Sequence, residues 1–275
     1  MSIQLIPYKP AGTIGSGPYV LREYKPDTGV DVSALSITYT GAYTDYGMVT
    51  MSDGARYRLL AFTASGTLSI EQPVNCEVCV VGGGANGANG RDGGGVGGAG
   101  AYLKNQSVSA YNGGSVVVGA GQGVSSIADV SVNAVSGKNG GTGAGGTTAG
   151  TGDGISKYPF EDTGYSLWAG KPHCAGGGQG VEKKGEKGFT GGDGGTNGSN
   201  GYPRHNDSVS SPSGGAGGSY GGGNGGPDGA AWNGGNATYY GSGAGGGGYR
   251  YPAGYYGGSG YQGIVYIRIP EEQAA

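Results

Sequence analysis

A few residues in this chain have types and spacings that invite a chemical reading: the Cys76–Cys79 pair, His173 beside Cys174, adjacent Glu161 and Asp162, and Gly82, Gly84 and Gly87 after an apolar run. None completes a known constellation. A zinc site built on CxxC needs a second such pair or a histidine pair at set spacing, and neither follows. On an extended strand Cys76 and Cys79 fall on opposite faces, so both read as small buried apolar side chains. Three cysteines do not make a disulfide framework. His173 and Cys174 lack a third ligand or an orienting carboxylate at useful spacing, and His205 is far off. Gly82, Gly84 and Gly87 satisfy GxGxxG, but a dinucleotide site needs a helix next. The residues that follow, ANGRDGGGVGGAG, cannot form one, because glycine costs about 1 kcal/mol per helical residue. Adjacent Glu161 and Asp162 read as a solvated turn rather than an acid/base pair. The expectation is no catalysis, no metal and no cofactor.

A different chemistry sits in islands between glycine runs: 153–175, 181–189, 199–213, 227–240 and 249–256. They concentrate Tyr, Trp, His, Lys and Arg among Ser, Gly and Asn. Rigid amphipathic rings beside adaptable polar groups are the composition of binding loops, and Trp, Tyr and Arg dominate interface hot spots. The candidate receptor-binding residues are therefore Tyr158, Phe160, Tyr165, Trp168, Tyr202, Arg204, His205, Trp232, Tyr239, Tyr240, Tyr249, Arg250, Tyr251, Tyr255 and Tyr256. A plainer reading stands beside this one, in which the rings lie flat against the glycine layers and cover them.

Something must hold such islands in place. Eight of the 70 glycines precede Gly82, and 62 lie in the 194 residues from there on. That is about a third, against about 7% in ordinary proteins. A flexible disordered linker is one reading of such composition, but a disordered tail would not end by returning a strand. Collagen would need glycine at every third residue and much proline, and runs such as Gly245–Gly248 break that pattern. The state that suits the rest is a bundle of extended threefold helices, the polyglycine counterpart of polyproline II. Such a helix has no internal hydrogen bonds, so each backbone group must find a partner on a neighbour. Without Cβ atoms the chains can approach closely enough to do so, and the islands become the turns.

Apolar strands bracket the glycine on both sides. Residues 57–81 read as two or three strands with a hairpin turn at Ser65-Gly66. Residues 101–135 continue the style around the turn GAGQG, and Gly263–Ile269 is a closing strand. On that strand Ile264, Tyr266 and Arg268 share one face, and Val265, Ile267 and Ile269 the other. The fold class is all-β, with sandwich-like strands around packed polyglycine II helices and aromatic loops at the ends. Residues 1–56 read as an attachment or oligomerisation segment and 57–270 as a glycine-rich receptor-binding domain. A net charge of −3 gives no electrostatic case for nucleic acid or an anionic membrane. No run of 18 apolar residues exists, so no membrane-spanning helix is expected, and residues 1–12 lack the basic and long apolar parts of a secretory signal.

The order of motifs carries a resemblance. FTASGTLSI (62–70), CEVCVVGGG (76–84), GSVVVGAGQG (114–123), the glycine runs and SGYQGIVYIRIP (259–270) resemble the glycine-rich domain that ends bacteriophage tail fibres and related bacterial surface fibres. The T-even-like phage adhesins, whose polyglycine helices carry variable receptor-binding loops, are similar in principle. The resemblance implies a non-enzymatic adhesin at a fibre tip, on a virion or a bacterial surface. Its receptor would be a cell-surface glycan or an outer-membrane protein. Its partners would be a fibre shaft protein or two further copies in a trimer, with no nucleic acid and no membrane insertion. The alternative is a purely structural fibre or tail component with no receptor of its own.

Overall fold

The longest strand, β4 (Gly66–Val81), is the centre of the structure, which is a computed structural model describing residues 30–89, 97, 98, 100–132, 158–178, 217, 220–225, 233–250 and 253–272. Its apolar residues alternate through Leu68 and Ile70 and then run together in Val78–Val81, the pattern of a strand that becomes buried on both faces. Around it lie β1 (Ile37–Tyr39), β2 (Tyr43–Thr50), β3 (Arg56–Phe62), β5 (Leu103–Val117), β6 (Ser125–Ile127) and β7 (Val130–Val132). A two-stranded pair, β8 (Tyr249–Arg250) and β9 (Ala253–Gly254), stands apart, and β10 (Ile264–Pro270) returns to the centre. The eight-stranded antiparallel sheet runs β2-β3-β10-β4-β5-β6-β7, with β1 also paired to the first half of β4. The chain is all-β among the described residues, as the strand pattern implies.

The sheet has an apolar layer on each face. One holds Leu60, Phe62, Val78, Val80, Val265, Ile267 and Ile269, closed over by Val32, Leu35, Val116 and Ile127. The other holds Leu59, Ala61, Cys79, Val81, Ile264 and Tyr266. The two faces of β10 are thus divided as its alternation requires, and Cys76 and Cys79 lie on opposite sides as buried free thiols. Register shifts between Ser69 and Cys76 bend β4. β6 then lies close to both β4 and β10, neither of which it pairs with.

Two expectations are corrected. The Ser65-Gly66 turn does not close a hairpin, because β10 is inserted between β3 and β4. β10 is apolar on both faces and belongs at the centre, which leaves the local pairing of β3 with β4 to give way. Nor does residue 56 divide two folding units in the described part. β1 and β2 belong to the same sheet as β3 and β4, and Tyr39 and Tyr43 pack on Phe62 at 4.7 and 5.8 Å between ring centroids.

The glycine segments grow out of this sheet at one row. Leu103, Val81 and Ile264 are side by side on β5, β4 and β10. From there the chain continues as residues 82–89 after β4, 97, 98 and 100–102 before β5 and 257–263 before β10. Residues 174–178, 221–225, 233–237 and 241–248 join them. These segments form neither helix nor ladder, and their backbone hydrogen bonds go to neighbours in rotation. Tyr256 N–H donates to Asn233 Oδ1 (3.0 Å), Gly257 to Asn89 Oδ1 (3.0 Å) and Gly258 to the Gly245 carbonyl (2.9 Å). The cycle then repeats one step on, with Ser259 to Asn236 Oδ1 (2.8 Å), Gly260 to Asn86 Oδ1 (2.9 Å) and Tyr261 to the Ser242 carbonyl (3.0 Å). In the middle of the bundle Gly243 donates to Ala175, Ala244 to Ala85 and Gly245 to Gly235. Gly246 then donates to Gly178 and Gly247 to Ala88. A donor that faces the same neighbour every third residue has threefold periodicity.

Close approach explains the composition. A Cβ on Gly87 would drive into the Gly245 carbonyl oxygen, and one on Gly177 into that of Ala244. Both obstacles are backbone, so no side-chain rotation relieves them. Alanine occurs where a methyl group has room, as at Ala85, Ala88 and Ala244, all buried. Gly87→Ala and Gly177→Ala should each destabilise the fold by about 3 kcal/mol or more, the upper end of overpacking. Ala88→Gly should cost about 1 kcal/mol or less. Thermal melting of the three variants checks the contrast, and equal effects would contradict it.

Candidate functional site

The first island is a plug, not a display loop. Its described part opens with a 3-10 turn at Pro159–Glu161 and covers the second face of the sheet. Trp168 is fully buried against Tyr266 (5.5 Å between centroids), Tyr165 (4.8 Å) and Phe160 (6.1 Å). Its indole N–H donates to the Asp162 carbonyl at 2.5 Å. Asp162 in turn accepts from the Ser52 backbone and hydroxyl and from the N–H groups of Gly164 and Tyr165. Burial pushes the Asp162 carboxyl up, but these hydrogen bonds outweigh it and hold it below its ordinary value. Asn105 Oδ1 accepts from the Phe160 N–H at 3.1 Å. Arg268 lies between the Tyr57 and Phe160 rings, 4.4 and 4.5 Å from their centroids, and donates to Glu77 at 2.8 Å. Trp168 and Phe160 are therefore core residues, a correction for two residues expected to contact a receptor. The pair covers the apolar face of the sheet rather than the glycine layers of the plainer reading.

From this plug a chain of rings leads to the surface. Tyr266 Oη lies 3.1 Å from His173 Nε2. The His173 ring packs on Tyr239 (5.0 Å) and Tyr240 (6.1 Å). Tyr239 then meets Tyr220 (4.8 Å), and Tyr240 meets Tyr261 (5.6 Å). The outer members are open, with Tyr220 44%, Tyr46 40% and Tyr261 37% exposed. Tyr239, Tyr240 and Tyr165 are half-buried behind them. Tyr46 stands on β2 at its bulge, and its phenol contributes to the raised pKa of Tyr165, Tyr239 and Tyr240. Burial, then the neighbouring phenols, pushes Tyr239 up to about 12. The patch is a cluster of phenols, each able to donate and to accept.

Its buried groups are poorly set for reaction. Burial pushes the Cys76 thiol up to about 12 and Cys79 higher still, so neither supplies a thiolate at neutral pH. Cys174 is a third buried thiol. His173 is fully buried, and its Nδ1 has no hydrogen-bond partner among the described residues. Among those residues no three His, Cys, Asp or Glu gather as metal ligands, and no helix is long and apolar enough to cross a membrane.

The remaining expected residues fall in several places. Tyr202, Arg204, His205, Trp232 and Tyr251 lie outside the described residues. Tyr249 and Arg250 pair through their backbone with Gly254 and Ala253. Tyr158 and Tyr255 are half-buried, and Tyr256 is 72% exposed. The structure brings Tyr239 and Tyr240 together and adds Tyr46, Tyr220 and Tyr261. Those three were not expected, because each lies outside the aromatic islands. The available signal was a bulky ring beside glycine, in Ser219-Tyr220-Gly221 and Gly260-Tyr261. No protein-family model, curated protein or solved structure matches the chain.

Burial of His173 gives a pH dependence with a definite sign. Desolvation lowers its folded pKa to about 3, while an unfolded histidine takes a proton near pH 6.5. Between those values the unfolded chain binds more protons, so this contribution is complete above pH 6.5 and declines as the pH falls toward 3. By pH 5 the loss is on the order of 1–2 kcal/mol. His173→Gln should reduce the difference between urea midpoints at pH 7 and pH 5, and an unchanged difference would contradict a buried neutral ring. Trp168→Ala should cost about 3–5 kcal/mol by urea unfolding.

Proposed function

We propose that this chain is a receptor-binding adhesin at the tip of a fibre, with no catalytic role. On this reading the glycine segments are polyglycine II helices packed as a lattice, and the lattice is a rigid mount. The supporting observation is the tyrosine patch: Tyr46, Tyr220 and Tyr261 are open rings backed by half-buried Tyr165, Tyr239 and Tyr240. Rings already ordered in the free protein lose little side-chain entropy on binding. Each phenol hydroxyl of the patch can both donate and accept a hydrogen bond. The resemblance of the motif order to phage tail-fibre ends makes a virion tip the proposed location, with a bacterial surface fibre as the alternative. A fibre shaft, or a trimer of this chain, would multiply weak single contacts.

The purely structural reading has one observation in its favour, since Trp168 and Phe160 serve the core. The two readings differ at the patch. Tyr46→Ser with Tyr220→Ser should lower binding of the purified protein to a panel of bacterial strains by about tenfold or more, as expected for losing a hot spot. Its melting temperature should not change. Equal binding by wild type and variant would remove the patch as the receptor surface. Binding to no strain by the wild type would favour the structural component.

A further inference from the structure

A second surface runs along the segment that ends at Tyr261. Residues 256–260 lie between residues 82–89 and 233–237, and both neighbours present asparagine at every third position. Asn86 and Asn89 stand on one side, Asn233 and Asn236 on the other, and all four are exposed. Each accepts a backbone N–H from the central segment. Because the donor is a backbone N–H, the accepting atom must be the carboxamide oxygen. That fixes which way each amide points and leaves its Nδ2 hydrogens directed elsewhere. Among the described residues no acceptor takes those hydrogens. In a threefold extended segment the members of a pair stand about 9 Å apart, at ~3.1 Å per residue. Exposed Ser259 lies in the middle row, and Tyr256, 72% exposed, lies at one end of it.

We propose that this amide face binds a polyhydroxylated glycan chain. The proposal rests on the adhesin reading and names the chemical class of its receptor. The carboxamide hydrogens meet sugar hydroxyl and ring oxygens as donors, and the Ser259 hydroxyl takes either role. The Tyr256 ring offers an apolar face to sugar C–H groups and a polar tip to water. A protein partner would want an apolar anchor pocket at the centre of its interface. Here the centre is serine and glycine backbone between two rows of amides. The lattice bonds hold the carboxamides in place before the ligand arrives, which removes part of the ordering cost. The face continues into the tyrosine patch through Tyr261, which packs on Tyr240.

The test uses the full chain on an array of bacterial capsule and lipopolysaccharide oligosaccharides. Asn89→Asp with Asn236→Asp keeps an acceptor oxygen for Gly257 and Ser259 and removes two outward donors. Tyr256→Ala removes a ring that is 72% exposed. Wild type should bind at least one oligosaccharide. Each variant should bind it about tenfold or more weakly with an unchanged melting temperature. If the aspartate pair lowers the melting temperature, Tyr256→Ala alone decides. Array binding that none of the variants weakens overturns the proposal. Wild-type binding to cells but to no oligosaccharide overturns it in favour of a protein receptor and leaves the adhesin reading standing. Wild-type binding to neither overturns both.

Discussion

The structure depends on one constraint: a backbone without side chains must find its hydrogen bonds on its neighbours. Extended segments have no internal partners, and an unpaired buried amide costs about as much as a lost hydrogen bond. The rotation of donors along residues 256–261 and 243–247 satisfies that requirement one residue at a time. Ordering each residue costs roughly 1–2 kcal/mol, while a hydrogen bond returns a net 0.5–1.5 kcal/mol. Such a bundle is marginal by itself. The apolar sheet makes it viable by fixing three segments at the Leu103–Val81–Ile264 row before they leave the core.

Asparagine completes the arrangement at the edge. Where the neighbour's own carbonyl does not accept, the carboxamide of Asn86, Asn89, Asn233 or Asn236 does so instead. The central segment can therefore lie at the surface with its amides satisfied and its outward side chains free to vary. Stiffness and variability are separated along the same segment. Glycine faces the carbonyls, and the residue at every third position faces out.

Much of this was legible in the residues. Alternation on β10, the opposed faces of Cys76 and Cys79 and the GAGQG turn all follow from strand periodicity, and the structure has them. Long-range pairing was not legible. Nothing near Ser65 tells that residues 264–270 will part β3 from β4, because the gain comes from burying β10 on both faces. The fate of aromatic residues was equally hidden. Trp168 and Tyr256 both sit in aromatic-rich islands, yet one is fully buried and the other is 72% exposed. What separates them is tertiary: Asp162 and Ser52 tie the first island down over Tyr266, whereas Tyr256 stays open to solvent. The outward asparagines were readable as a three-residue repeat in Gly-Ala-Asn-Gly-Ala-Asn (84–89), but their role emerges only once their neighbours are known.

Amide hydrogen exchange followed by mass spectrometry on residues 243–247 and 256–261 tests the central claim most directly. If each of these amides is bonded in rotation to a neighbouring segment, exchange should be slowed to the extent of the apolar strands β4 and β10, although the segments hold no regular ladder. Exchange at the rate of an unstructured glycine peptide, with β4 and β10 still protected, would show that the bundle is not held by its backbone and would contradict the account.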